Sequence, residues 1–241
     1  ILTPTGGSGF TATLRLHYLD AELGSNTETS LNLWRDNGQY GEAVAAYDRA
    51  LTMAHEAKDR AAILGWRAYA HRFNGEYAAA TADMRAALEL DQSVDTRLLY
   101  VSILMDDQAG WRDGVQAARQ LFAEQPDSVL RLNALGYALI QRPEGLEEGY
   151  RLLWRGFNYG QSDYAVIDSL GWAYYQYGAF DEARALCERA SQLMTEPNAE
   201  VLDHLGDIYW RLNRRDDATS LAIERQRRLF CAPVRARTLV E

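Results

Sequence analysis

The sequence predicts an all-α fold, a solenoid of about six helix pairs, and three observations carry that prediction. Glycines recur at a fixed step: Gly136, Gly171 and Gly206 stand 35 residues apart, each preceded by a leucine, Leu135, Leu170 and Leu205. Small residues keep the same beat further along each unit, at Ala43, Ala80, Gly114, Gly149, Ala183 and Ala218, stepping by 37, 34, 35, 34 and 35. Finally, the stretch 164–190, YAVIDSLGWAYYQYGAFDEARALCERA, reads as two short helices back to back. Leu170, Ala173, Tyr174 and Tyr177 recur at helical spacing, Gly178 stops the first helix, and Phe180, Ala183, Leu186, Cys187 and Ala190 recur in the second. Gly171 and Ala183 carry almost no side chain, so the helices can cross closely there, with Tyr174 and Phe180 filling the space around the crossing. Such a hairpin keeps an apolar flank that only a neighbour of the same kind covers, and so the units must stack.

Residues 1–23 stand outside the repeat. Gly, Thr and Ser with Pro4 make 3–9 a loop; Phe10, Ala12, Leu14, Leu16 and Tyr18 then alternate as a strand would, while Ala12, Leu16, Leu19 and Leu23 also fit one helical face. The array that follows favours the helix, as the remnant of a preceding unit. Gly6-Gly7-Ser8-Gly9 lacks the Gly-Lys-Ser/Thr ending that grips phosphate.

Repeat one, 24–57, has Trp34 in its first helix and Gly38, Tyr40, Ala43, Tyr47 and Ala50 in its turn and second helix. Repeat two, 61–93, carries Trp66, Gly75, Tyr77, Ala80, Met84 and Ala87. Repeat three, 94–128, is the most degenerate: Ser102 replaces the glycine, Gln108-Ala109-Gly110 forms the turn, and Trp111 opens the second helix. Repeat four, 129–161, keeps Leu135-Gly136 but has a longer turn, Gln141-Arg142-Pro143-Glu144-Gly145, broken by Pro143. Repeat five, 164–196, is the reference unit. Repeat six, 199–226, keeps Leu205-Gly206, Tyr209 and Ala218 and puts Arg225 where earlier copies have a small residue, as suits a terminal helix that faces water. Residues 227–241 form a basic tail. Pro126-Asp127-Ser128, Ser162-Asp163 and Pro197-Asn198 each offer a short polar side chain to cap the helix that follows.

With Leu170-Gly171, Tyr174, Ala183 and the following Pro197 in matching places, the chain resembles the tetratricopeptide repeat family, whose unit of about 34 residues carries Leu-Gly, an aromatic, Ala, an aromatic and Pro in that order. The resemblance implies a right-handed solenoid whose first helices line a concave groove that takes extended or helical partner segments. Carried onto this sequence, that face holds Tyr69, Arg72, Asn133, Tyr137, Asp168, Trp172, Tyr175, Asp203, Asp207 and Trp210. The groove is aromatic and acidic, which suits a basic or aromatic protein segment. The alternative role for its Tyr and Trp is packing against the neighbouring repeat. The family's chaperone-binding subset holds a terminal carboxylate with lysine, arginine and asparagine, and the aspartates at 168, 203 and 207 oppose that use. Repeats four to six further resemble bacterial envelope members, periplasmic or outer-membrane lipoproteins that assemble or export other envelope components; a cytoplasmic setting is the alternative.

Charge and chemistry narrow the function. The formal charge is -9, and eight Arg against four acids from Arg211 to Glu241 leave -13 on the preceding residues. An acidic body opposes general nucleic-acid binding, which rests on neutralising phosphates. No apolar run approaches the roughly 18 residues a membrane-spanning helix needs. The chain begins at Ile1, so a removed signal peptide or lipid-bearing cysteine upstream is compatible with it. Two cysteines make no disulfide framework; Cys187 reads as a small core residue and Cys231 lies in the tail, with a bridge between them left open. His17, His55, His71 and His204 form no zinc-binding pair, and Asp203 and His204, adjacent on a helix, point about 100° apart. No enzyme activity, cofactor or metal is expected. The expected role is a protein-interaction scaffold; the alternatives are a structural subunit docking by its convex face or array ends, and a sensor of a small peptide or sugar.

Overall fold

The computed structural model describes residues 40–106, 110–195, 198–218 and 220. The expectations for residues 1–23, for Trp34 and Gly38, for Gln108 and Ala109, for Pro197, and for Arg225 and the tail with Cys231 lie outside these residues. Among the described residues there are ten α-helices with both ends described, one 3-10 turn, a further helical stretch at 215–218 and 220, and no strand. In chain order they are α1 (Tyr40–Met53), α2 (Ala57–Phe73), α3 (Tyr77–Leu90), α4 (Val94–Asp106), α5 (Trp111–Glu124), α6 (Val129–Ile140), α7 (Leu146–Tyr159), α8 (Tyr164–Gln176), α9 (Phe180–Leu193) and α10 (Ala199–Arg211), with the 3-10 turn at Pro143–Gly145 between α6 and α7. The all-α solenoid expected from the repeat spacing is therefore the observed fold. Helices α2, α4, α6, α8 and α10 are first helices; α1, α3, α5, α7 and α9 are second helices.

Small residues set the crossings. A Cβ on Gly171 would stand 2.5 Å from Cys187 Sγ and 3.3 Å from the Ala183 carbonyl oxygen, and one on Gly149 would stand 2.7 Å from the Gly136 carbonyl oxygen. A side chain at either place would force the helix pair apart. In repeat three, where Ser102 replaces the glycine, Gly114 takes over the close approach: its Cβ would meet Met105 Sδ at 2.8 Å.

Each core cluster then reaches into the next unit. Ala61, Leu64, Ala68, Ala80, Met84 and Ala87 pack with Ile103 of α4; Ile140 and Leu153 pack with Leu170 and Ala173 of α8; Ala183 and Cys187 pack with Leu205 and Ile208 of α10. Trp111 adds a polar link, its indole N–H donating to the Ala138 carbonyl at 2.9 Å. Stability is thus shared between neighbours along the axis, as a stacked array requires.

The turns repeat in atomic detail. Gly75 (φ 78°) and Gly178 (φ 81°) close the first helices of repeats two and five in the left-handed region, and Asn213 (φ 59°) does so in repeat six, 35 residues after Gly178. In each, the next amide bonds back to a carbonyl five residues earlier: Glu76 to His71 at 2.8 Å, Ala179 to Tyr174 at 3.0 Å, Arg214 to Tyr209 at 2.8 Å. Asparagine tolerates that conformation better than other side chains do, which is why the missing glycine leaves the turn intact.

Two of the three expected caps form. The Asp163 side chain accepts from the Ala165 amide at 3.0 Å, and Asn198 from the Glu200 amide at 2.9 Å. Ser128 makes no side-chain cap to α6, and its neighbour Asp127 is drawn away into an ion pair with Arg155 of α7. Cys187 is buried and free.

Candidate functional site on the face of the first helices

The first helices α6, α8 and α10 lie side by side, and the 35-residue step puts Asn133, Asp168 and Asp203 in one row and Tyr137, Trp172 and Asp207 one turn further on. The observed contacts do not follow those rows. Asp168 of α8 pairs with His204 of α10, Oδ2 to Nδ1 at 2.8 Å, and both residues are buried. The Tyr137 hydroxyl of α6 donates to Glu200 Oε1 of α10 at 2.6 Å and lies 3.4 Å from His204 Nε2. That bond joins helices two repeats apart across α8. Three side-by-side helices allow it only if the row bends toward this face, so the face is concave here.

Aromatic rings complete the cluster. The Trp172 ring stacks on His204 with centroids 4.1 Å apart and on Tyr175 at 4.4 Å, both nearly parallel. Tyr175 meets Phe180 edge-on at 5.4 Å, and the Arg211 guanidinium lies 4.6 Å above Phe180. These rings supply packing between repeats five and six, the alternative role the sequence left open for them. Buried polar atoms remain beside them: Asn133 Oδ1, Asp168 Oδ1 and Trp172 Nε1 have no hydrogen-bond partner among the described residues. All three belong to the expected groove, so the polar groups there exceed what the fold itself uses.

Electrostatics follow from burial and neighbours. Burial pulls the His204 imidazolium down, but the Asp168 charge, its hydrogen bond, and the charges of Glu200 and Asp203 outweigh it and leave the group above its usual range. Burial, then the charge of Glu200 and the hydrogen bond to it, hold the Tyr137 phenol well above the ordinary tyrosine range. Burial likewise pushes the Cys187 thiol up, with Asp168 adding to it, so this cysteine is not a poised nucleophile.

The ten expected groove residues thus fall into three groups. Tyr137, Asp168, Trp172 and Tyr175 come together in one cluster, with Asn133 contributing one of its sealed polar atoms. Asp203, Asp207 and Trp210 stand exposed on α10, with the Arg215 guanidinium 3.9 Å from the Trp210 ring. Tyr69 and Arg72 lie two repeats away, where Arg72 stacks 5.3 Å over both Tyr69 and Phe73 and donates to Ser102 Oγ at 3.3 Å. Sequence reasoning missed His204 and Glu200. It compared Asp203 with His204 within one helix, whereas the partner of His204 comes from the preceding repeat. The available signal was the i, i+4 spacing of Glu200 and His204, which places both on one face of α10.

Elsewhere, a cavity of about 320 Å³ between α3, α4 and α5 is lined by Leu88, Gln92, Tyr100 and the Arg97–Glu124 ion pair, whose charges already satisfy each other. No group of three or more His, Cys, Asp or Glu suited to a metal occurs among the described residues. No described helix is long and apolar enough to cross a membrane.

Comparison with known proteins supports the tetratricopeptide repeat family. Its profile matches residues 61–94. Over 114 residues the chain is 32% identical to the TPR repeat-containing protein PA4667 of Pseudomonas aeruginosa; the matched part is 47% of this chain and 19% of that protein, so the chain spans about a fifth of its relative. Among solved structures, a TPR protein of Parabacteroides merdae superposes with a TM-score of 0.59 at 16% identity, covering 88% of this chain and 86% of that one. A thermophilic TPR protein of Thermus thermophilus gives 0.58 at 19% identity, over 70% and 89% of the two chains. At these identities the two structures establish the likeness of fold.

Proposed function

We propose that the chain is a non-enzymatic scaffold that takes a basic segment of a partner protein along the first-helix groove of repeats four to six. The tetratricopeptide-repeat fold supports a protein-interaction role in general. The observation that favours this particular site is the polarity of α10. Glu200, Asp203 and Asp207 are exposed there together with Trp210, a residue 55% exposed, beside a cluster that retains buried acceptors unpartnered among the described residues. Acidic side chains steer a cationic segment to the groove, and aromatic faces give it contact area at low entropic cost. The guanidinium already seated on Trp210 is an internal example of the contact such a segment would make. The segment would belong to an envelope component whose assembly or export the scaffold assists, on the periplasmic or outer-membrane side. That setting rests on the resemblance of repeats four to six to envelope members.

The test compares the native chain with a variant carrying Asp203→Arg, Asp207→Arg and Trp210→Ala, all exposed positions whose replacement leaves the core intact. Capture from separated envelope and cytosolic fractions should retain a partner from the envelope fraction on the native chain, with affinity falling at least about tenfold in the variant. Equal capture by both would move the interface to the convex face or the array ends. Retention from the cytosolic fraction alone would refute the envelope setting.

A further inference from the structure

We propose that Asp168, His204, Tyr137 and Glu200 form a proton-operated latch that ties repeats four, five and six together across the concave face and loosens when His204 loses its proton. As a device controlling partner access it rests on the groove reading above; as a latch it stands on geometry alone.

The geometry is a count of donors and acceptors. His204 Nδ1 faces Asp168 Oδ2 at 2.8 Å, a carboxylate oxygen that can only accept. His204 Nε2 faces the Tyr137 oxygen at 3.4 Å, and the single proton of that hydroxyl is already committed to Glu200 Oε1 at 2.6 Å. Both ring nitrogens therefore look at acceptors, and only the imidazolium carries a proton on each. A relay results: Glu200 accepts from Tyr137, whose oxygen accepts from His204, whose other nitrogen donates to Asp168. The charged and titratable groups around the ring agree with this assignment. Asp168 faces it from α8, Tyr137 from α6, and Glu200 and Asp203 from α10 itself, while the uncharged Trp172 ring stacks on its face. Three carboxylates and one phenol surround the imidazolium, so its positive charge is what makes the burial of Asp168 tolerable.

Loss of the proton from Nε2 sets two lone pairs against each other at the Tyr137 contact. The hydroxyl proton of Tyr137 is the one that can turn, from Glu200 to His204 Nε2. Glu200, exposed on α10, is then released to water, and the short charge-assisted bond that spans two repeats is exchanged for a longer, neutral one from Tyr137 to His204 Nε2. Repeat six keeps its packing on repeat five through Ala183, Cys187, Leu205 and Ile208 but holds repeat four by that weaker bond alone. The face becomes less tightly held and more acidic by one charge, which is the state a basic segment prefers.

The first experiment follows the His204 ring nitrogens by NMR in the intact chain from pH 5 to 9, alongside amide hydrogen exchange of α10 corrected for the intrinsic base-catalysed rate. The latch requires His204 to be doubly protonated at pH 6 and to lose its proton only above the ordinary histidine range. It also requires α10 exchange to rise at least about threefold with the same midpoint. Glu200→Ala removes only the exposed end of the relay, so it folds whether or not the latch exists; its α10 should exchange fast at both pH 6.0 and 8.5. A neutral His204 at pH 6, or α10 exchange that Glu200→Ala leaves unchanged, overturns the latch. Hexa-arginine peptide serves as the probe for the groove. Tighter binding at pH 8.5 than at 6.0 in the native chain, with the difference lost in Glu200→Ala, is expected of latch and groove together. A latch that titrates while hexa-arginine binds nowhere refutes the groove reading and leaves the latch standing.

Discussion

Repeats two and six each contain a three-helix polar tie, and the two are built on different cations. In the first, Arg67 of α2 holds Asp83 of α3 with two bonds of 2.8 and 2.5 Å and reaches Asp48 of α1 at 2.6 Å. In the second, His204 of α10 holds Asp168 of α8 and meets Tyr137 of α6. Both bury a carboxylate that needs a positive partner: Asp83 is 7% exposed and Asp168 is 4% exposed. The guanidinium fits a carboxylate with two parallel bonds, and the hydrogen bond to Asp83 in particular raises its proton affinity further, so it never discharges. The imidazolium stacks flat on Trp172 and, unlike the guanidinium, is a cation that can discharge. One tie is a fixed strut joining successive helices, and the other is conditional and joins first helices across repeats. The same architectural task, assigned to Arg or to His, decides whether the array is rigid or responsive at that point.

The largest effect expected from this comparison is loss of the strut. Arg67→Ala leaves Asp83 buried beside only His71, 3.8 Å away, and should lower the free energy of unfolding by about 3 kcal/mol. Urea unfolding should give nearly the same loss at pH 6.0 and 8.5, because the guanidinium stays charged throughout; a strong pH dependence would contradict the guanidinium as the group that holds Asp83. Next comes the conditional tie. His204→Gln should cost about 2 kcal/mol at pH 6.0 and clearly less at pH 8.5. The sign follows from linkage. The folded-state proton affinity of His204 is raised above that of the unfolded chain, so its contribution is complete below about pH 6.5 and fades as pH rises through the raised value. A penalty that grows with pH would contradict the charged imidazolium. Asp48→Ala removes the exposed arm of the strut and should cost under about 1 kcal/mol, which calorimetry at one pH suffices to check. Smallest of all, Arg151→Ala breaks a surface pair with Glu147 in which both side chains are mostly exposed, and its midpoint should not move outside error.

Much of this was legible in the chain. A constant step between glycines fixes which segments are helices and which pack together, because close crossings tolerate only small residues and a slipped register would put bulk into them. It placed Gly171 against Ala183 and stopped the first helix of repeat five at Gly178. It did not give contacts across the groove. Asp168 meets a residue 36 positions later, Trp172 one 32 later, and Tyr137 one 63 later, none of which is a multiple of 35. Stacked helices rotate and shift relative to one another, so side chains with equal repeat positions need not face each other. Hence Asp203, the formal counterpart of Asp168, points to solvent while its neighbour His204 makes the contact. The cap at Ser128 failed for a related reason: local propensity named the residue, and a long-range ion pair from Arg155 changed what its neighbourhood does.

The Tyr137–Glu200 bond also bears on how the chain comes apart. An array coupled only between adjacent members frays from its ends one unit at a time, like a row of dominoes lifted singly. A link that steps over a member changes the statistics: repeat six cannot leave until repeat four has let go of it. At low pH repeats four to six should melt more nearly as one block, and at high pH, where only the weaker Tyr137–His204 bond steps over repeat five, more nearly in sequence, so acidity tunes the size of the cooperative unit as well as its strength.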